Sequence, residues 1–162
     1  MTPPRSSAAG TVTDPILAAG VVLWASGEKG PKFLLLQNSN HQTWGLSKGH
    51  RDGQEGLLET ALRETQEETG YELTEKHLLP DFADTSIYQH KPDLWKRVVT
   101  FLSAHPVIPA ELVISTEHCD FAWLELPAAL KAVQFPALQR TLSRAAIRLK
   151  KLQAEGPCPN RS

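Results

Sequence analysis

Residues 49–71, GHRDGQEGLLETALRETQEETGY, decide how this chain is read. Placed on a helix at 100 degrees per residue, Leu58, Ala61, Leu62, Thr65 and Thr69 share one face, the expected buried one. The spacing predicts a helix over about 54–69. Asp52 is the expected N-cap, with Glu55 three residues on in a capping-box arrangement, and Gly70 the expected left-handed C-cap. Glu64, Glu67 and Glu68 fall at i, i+3 and i+4, to one side of the core stripe. Like charges at that spacing cost a few tenths of a kcal/mol on an open helix, roughly, and more where solvent is excluded. A hard divalent cation such as Mg²⁺ or Mn²⁺ turns that repulsion into binding, because it prefers carboxylate oxygen. Arg63 lies one turn after Glu59 and one turn before Glu67, where it can hold a ligating carboxylate in position. A run such as 63–68 is also what a plain solvated helix face looks like. The wider pattern separates the two: Gly49, Glu55, Arg63, Glu64, Glu67, Glu68 and Gly70 stand at fixed intervals. With each residue type at about 5–7% of average usage, chance agreement at one start point is on the order of one in 10⁸.

Outward from this segment the chain alternates between two periods. Ile16 to Trp24 is a nearly unbroken apolar run rich in valine, the pattern of a buried strand. Residues 26–31 are turn chemistry, Phe33 to Leu36 is the expected returning strand, and the two make a hairpin. Residues 44–47 are an extended piece leading into Lys48-Gly49-His50. Ser86 to Tyr88, Arg97 to Ala104 and Phe121 to Leu124 read as further strands. Leu138, Leu142, Ala145, Ala146 and Leu149 recur at helical spacing, which predicts an amphipathic helix over 137–152. Because the first two strands form a hairpin, the expected architecture is α/β of the α+β kind, a mixed sheet covered by helices. Residues 1–14 and 154–162, rich in Pro, Ser and Gly, are the expected disordered arm and tail around one domain at 15–153.

Seventeen basic and 18 acidic residues leave a net charge of -1, against the basic footprint of a dedicated nucleic-acid binder. Two cysteines, far apart and without Cys/His companions, exclude a disulfide framework and a zinc motif. No apolar run approaches the roughly 18 residues a membrane span needs, and residues 1–14 carry no apolar signal core. A cytoplasmic, monomeric protein is the expectation.

The seven fixed positions resemble the Nudix box, the loop–helix–loop of the Nudix hydrolases. Thr65 and Tyr71 depart mildly at its aliphatic positions. The resemblance implies the Nudix α/β/α sandwich, with a mixed sheet between helices, and hydrolysis of a nucleoside diphosphate linked to another group. It implies that Glu64, Glu67 and Glu68 ligate Mg²⁺ or Mn²⁺, joined by the Gly49 carbonyl, with Arg63 and Glu55 as orienting residues. Over about 18–126 the chain is also similar to the animal-type asymmetrical diadenosine tetraphosphate hydrolases. That likeness rests on Ala18 to Leu23, Phe33 to Gln37, Trp44 to His50, Tyr88, Lys96, Glu117-His118 and Trp123-Leu124. It implies a small nucleotide substrate, with Tyr88 stacked on an adenine and Lys96 on phosphate. Lys48 and His41 lie where phosphate contacts would be useful, and Glu117 lies on a loop that adds a carboxylate. The catalytic base is Glu68 or Glu117. Ser47 replaces a proline usual in relatives, Gly53-Gln54 replaces Pro-Gly, and Trp95 falls in a stretch with no assigned role.

Other substrates fit the same chemistry: a diphosphoinositol polyphosphate, an RNA 5′ end or a nucleoside diphosphate sugar. A nucleotide sensor without turnover is the reading from another class, and retention of Arg63 with all three helix carboxylates speaks against it.

Overall fold

The structure, a computed structural model, describes residues 10–155. The apolar run at 16–24 is buried throughout its second half but is not one strand. It divides at Leu23 into β1 (Ile16–Val22) and β2 (Trp24–Ala25). Only β2 pairs with β3 (Lys32–Asn38), through Trp24↔Phe33 and Ala25↔Lys32, so the expected hairpin is confined to its tip. β1 belongs to a different sheet. It runs antiparallel to β5 (Ser47–His50) and parallel to β7 (Leu94–Leu102), which pairs with β6 (Asp84–Lys91). Between them they form a mixed sheet of order β5-β1-β7-β6. The second sheet is antiparallel: β3 pairs with β2, with β4 (Trp44–Gly45) and with β8 (His118–Leu124). The chain crosses between sheets at Leu23 and again at Leu46, both buried. Strands apolar on both faces carry no mark of which partner they take, so this division was invisible to pattern reading.

Alternation along the strands sends side chains into two cores. Ala19, Val21, Leu23, Leu34 and Leu36 meet Ala61 and Leu62 of helix α1 (Leu57–Thr69). Val22, Phe33, Leu35 and Leu102 meet Ala129 of α2 (Leu126–Ala132) and Leu142, Ala145 and Leu149 of α3 (Pro136–Ala154). Two sheets lie between α1 and the α2/α3 layer, the sandwich expected. α3 is tied to β6 by buried Asp84, which accepts from Thr141 Oγ1 at 2.5 Å and from Arg144. α2, seven residues of LPAALKA, is too short to show a period and went unread.

Several expectations need correction. α1 begins at Leu57 with Gly56 as N-cap and no side-chain cap, not at Asp52. Gly53 has φ 56°, which a helix cannot continue through. Half of the expected capping box survives as a turn, with the Asp52 amide donating to Glu55 Oε1 at 2.9 Å. Trp95, in the stretch with no assigned role, lies in β7 opposite Gln89. Cys119 is exposed, at the β8 position that the register shift leaves without a partner on β3. Of the expected arm at 1–14, residues 1–9 lie outside the described residues. Gly10 to Asp14 form a turn that docks on β7, the Gly10 carbonyl accepting the Trp95 amide at 2.7 Å. In the expected tail, 154 ends α3 and 156–162 lie outside the described residues.

Candidate active site

Arg63 is the hub. Its Nε donates to both Glu55 oxygens at 3.2 and 3.1 Å, and its NH2 to Glu55 Oε1 at 2.6 Å and the His50 carbonyl at 3.0 Å. Its NH1 donates to Glu64 Oε1 at 2.9 Å and Glu67 Oε2 at 3.1 Å. Glu55 accepts further bonds from Thr60 Oγ1 and the Asp52 amide. The Arg63 guanidinium first, then these donors, hold the Glu55 carboxyl down at about 2. The same contacts raise the Arg63 pKa further above its ordinary value. Glu55 therefore acts before the helix, as a clamp on the arginine that positions two helix carboxylates.

The carboxylates divide by environment. Glu67 is 57% exposed. Glu64 lies against the backbone of Gly49, where any Cβ would overlap its carboxyl carbon and both oxygens. Glu68 is 4% exposed and accepts the Lys48 amide at 3.2 Å. Burial first, then the charge of Glu64, pushes Glu68 up to about 8. Burial also raises Glu64, against the pull of Arg63. The charge of Glu117 reaches both. Its loop covers the carbonyls left open at the end of α1: the Ser115 amide donates to the Glu68 carbonyl at 3.1 Å and the Val113 amide to that of Thr69 at 2.9 Å. Ser39 completes the clasp, its amide donating to the Glu117 carbonyl at 3.0 Å.

Cations stand next to this acidic group. Lys48 Nζ donates to Tyr88 Oη at 3.1 Å and lies 5.6 Å from the ring centroid. Lys96 is opposite Tyr88 across the β6–β7 ladder. Burial first, then the charges of Lys48 and Lys91, lowers the Lys96 pKa. His41 is exposed on the loop after β3, its amide donating to Asn38 Oδ1 at 3.0 Å. The residues given site roles from the sequence fall into two adjoining groups, carboxylates around Gly49 and cations around Tyr88. His90 and Lys91 belong to the second group and were not singled out; only the strand register places them there.

A NUDIX domain model matches residues 14–145. The chain belongs to the Nudix family. Its box is the 49–70 segment, and the Arg63 network is the box's internal wiring. Two curated relatives are similar over most of the chain. The asymmetrical bis(5′-nucleosyl)-tetraphosphatase of Rattus norvegicus is 40% identical over 114 residues, 68% of this chain and 76% of that protein. Its counterpart in Caenorhabditis elegans is 30% identical over 132 residues, 80% and 93% of the two chains. Among solved structures, a binary complex of the C. elegans Ap4A hydrolase superposes with a TM-score of 0.75 at 29% identity, covering 84% of this chain and 98% of that one.

Nudix hydrolases generally use divalent metal ions, and the donor chemistry here fits one. Glu64, Glu67, Glu68, Glu117 and the Gly49 carbonyl offer only oxygen, the preference of a hard cation. The buried and mutually repelling Glu64 and Glu68 would be relieved by positive charge. Among the described residues no three such side chains converge on one point in this conformation. Arg63 NH1 holds one oxygen of Glu64 and one of Glu67.

Proposed function

We propose that this chain is a divalent-cation-dependent pyrophosphohydrolase of dinucleoside polyphosphates, cleaving diadenosine tetraphosphate to ATP and AMP in the cytoplasm. The observation that carries the reading is the junction at Lys48. Its amide donates to Glu68 of the carboxylate group, and its ammonium is bonded to Tyr88 of the cation–aromatic group. One phosphate chain can therefore meet both groups, with a base beyond. The names of the Rattus norvegicus and C. elegans relatives support the same substrate class.

In this reading Glu64, Glu67, Glu68 and the Gly49 carbonyl would hold Mg²⁺ or Mn²⁺. When bound, the ion would supply positive charge at the phosphoryl oxygens and acidify water. Glu55 fixes Arg63, and Arg63 sets the starting positions of Glu64 and Glu67. Lys48, Lys96 and His41 neutralise phosphate oxygens, and Tyr88 stacks on one adenine. The proton of the attacking water passes to a carboxylate oxygen of Glu68 or Glu117. An inositol polyphosphate carries no base and would leave the Tyr88 ring without a stacking partner.

The test is a panel of pyrophosphate substrates incubated with Mg²⁺ or Mn²⁺, with products separated by chromatography. ATP plus AMP from diadenosine tetraphosphate is expected. Two molecules of ADP would contradict asymmetrical cleavage, and no turnover of any dinucleoside polyphosphate would overturn the assignment. The pH–rate profiles of Glu68→Gln and Glu117→Gln distinguish the base: its removal abolishes the acidic limb.

A further inference from the structure

We propose that the β6–β7 hairpin carries a subsite for distal phosphates, in which His90 and Lys91 join Lys96 to bind the far part of a polyphosphate chain and so select long chains over short ones. The inference rests on the proposed activity and names a specificity element of that same site.

The argument begins with strand parity. Residues opposite each other in a ladder share a face, and residues two apart on one strand share a face. Tyr88 is opposite Lys96, and Lys91 is opposite Leu94. Leu94 and Lys96 are two apart on β7, so Tyr88, Lys96 and Lys91 lie on one face. Tyr88 and Lys91 are three apart on β6, a spacing that in a regular strand would put them on opposite faces. The register shift between Gln89 and Lys91 removes that conflict and leaves His90 outside the ladder. A bulge of this kind re-aims side chains, and here it brings Lys91 to the Tyr88 side. The hairpin closes through Asp93 at φ 64°, which keeps both cation-bearing strands together.

These charges are not ion-paired. Among the described residues, His41, Lys48, His90, Lys91 and Lys96 form no ion pair with a carboxylate; Lys48 has only the Tyr88 hydroxyl. Partial desolvation first, then the charges of Lys96, Lys91, Lys48 and His41, lowers the His90 pKa. Five cation-capable groups crowded this way bind one class of ligand well, a polyanion with several linked charges. A diphosphate bridging the carboxylates to Lys48 would not extend to Lys91, which by the register lies two ladder positions beyond Tyr88, roughly 7 Å along the strand. A longer chain would.

The experiment compares wild type with Lys91→Ala, His90→Ala and the double variant. Both side chains are exposed, so folding is retained, checked by circular dichroism. With diadenosine tetraphosphate, KM rises about tenfold in the double variant and kcat stays within about twofold, the size of two lost ion pairs at a surface. By calorimetry, inorganic tripolyphosphate binds about tenfold more weakly and pyrophosphate within about twofold of wild type. Lys91→Arg keeps wild-type values. Unchanged KM and tripolyphosphate affinity, or equal losses for the short and long anions, would overturn the subsite. Should wild type leave diadenosine tetraphosphate intact, the proposed activity falls, and tripolyphosphate binding still decides the subsite on its own.

Discussion

Gly49 has no side chain, and Glu64 occupies the space one would fill. Single residues of this kind set the chemistry, and their effects separate cleanly. Glu67 is the exposed member of the carboxylate trio and carries no packing. Glu67→Gln should therefore lose turnover by several powers of ten while its melting curve stays near wild type; full activity with Mg²⁺ present would remove the metal-ligand role. Tyr88→Ala should raise KM more than it lowers kcat, since stacking binds a base remote from the bond that breaks. If neither constant moves in steady-state assays, the ring is not an adenine platform. Glu55 offers a test by pH. Its folded pKa of about 2 lies below the ordinary 4.5, so the native state prefers the charged form. Stability from this group is complete above about pH 4.5 and is lost as pH falls toward 2. Urea midpoints of wild type and Glu55→Gln should differ most at neutral pH and converge as pH falls from 4.5 toward 2. A difference that does not change with pH would show that Glu55 stabilises by packing, not by charge.

At the scale of elements, the box helix was visible in the chain because its information is local. Spacing at 3.6 residues puts Ala61, Thr65 and Thr69 on one face, and all three are buried. Its start was misread because Gly53 takes a left-handed conformation that a capping pattern does not report. Asp52→Ala should accordingly cost less than about 0.5 kcal/mol in urea unfolding, the scale of a surface change. A cost near 1 kcal/mol is what a true N-cap would give. The strands were located more reliably than they were paired. β1 and β2 read as one strand, yet they serve two sheets. The bulge at 89–91 left no trace in composition, although it decides which side of the hairpin Lys91 takes.

The whole molecule keeps catalytic and structural cores on opposite faces of its sheets. α1 closes one with Ala19, Val21 and Leu34, and α2 and α3 close the other with Val22, Phe33 and Leu102. Leu142 is fully buried in the second core. Leu142→Ala should cost about 2–5 kcal/mol by denaturant titration. KM and kcat of the folded fraction should stay near wild type, because the cavity opens on the face away from α1. A large change in kcat at a temperature where the variant is folded would mean that the two cores are coupled.

Sequence alone determined which residues make up the carboxylate group. Arg63, Glu64, Glu67 and Glu68 stand at fixed intervals on one short helix, so local geometry alone makes them neighbours. It also determined that the chain would bury strands on two faces. Tertiary structure decided the rest: that Glu68 is buried while Glu67 is open, that Glu117 arrives on a loop clasped by Ser39, and that Lys48 meets Tyr88 across the sheet. These depend on strand partners and register. A shift of one residue turns every side chain of a strand to the other face, so only the assembled sheet can say which groups meet.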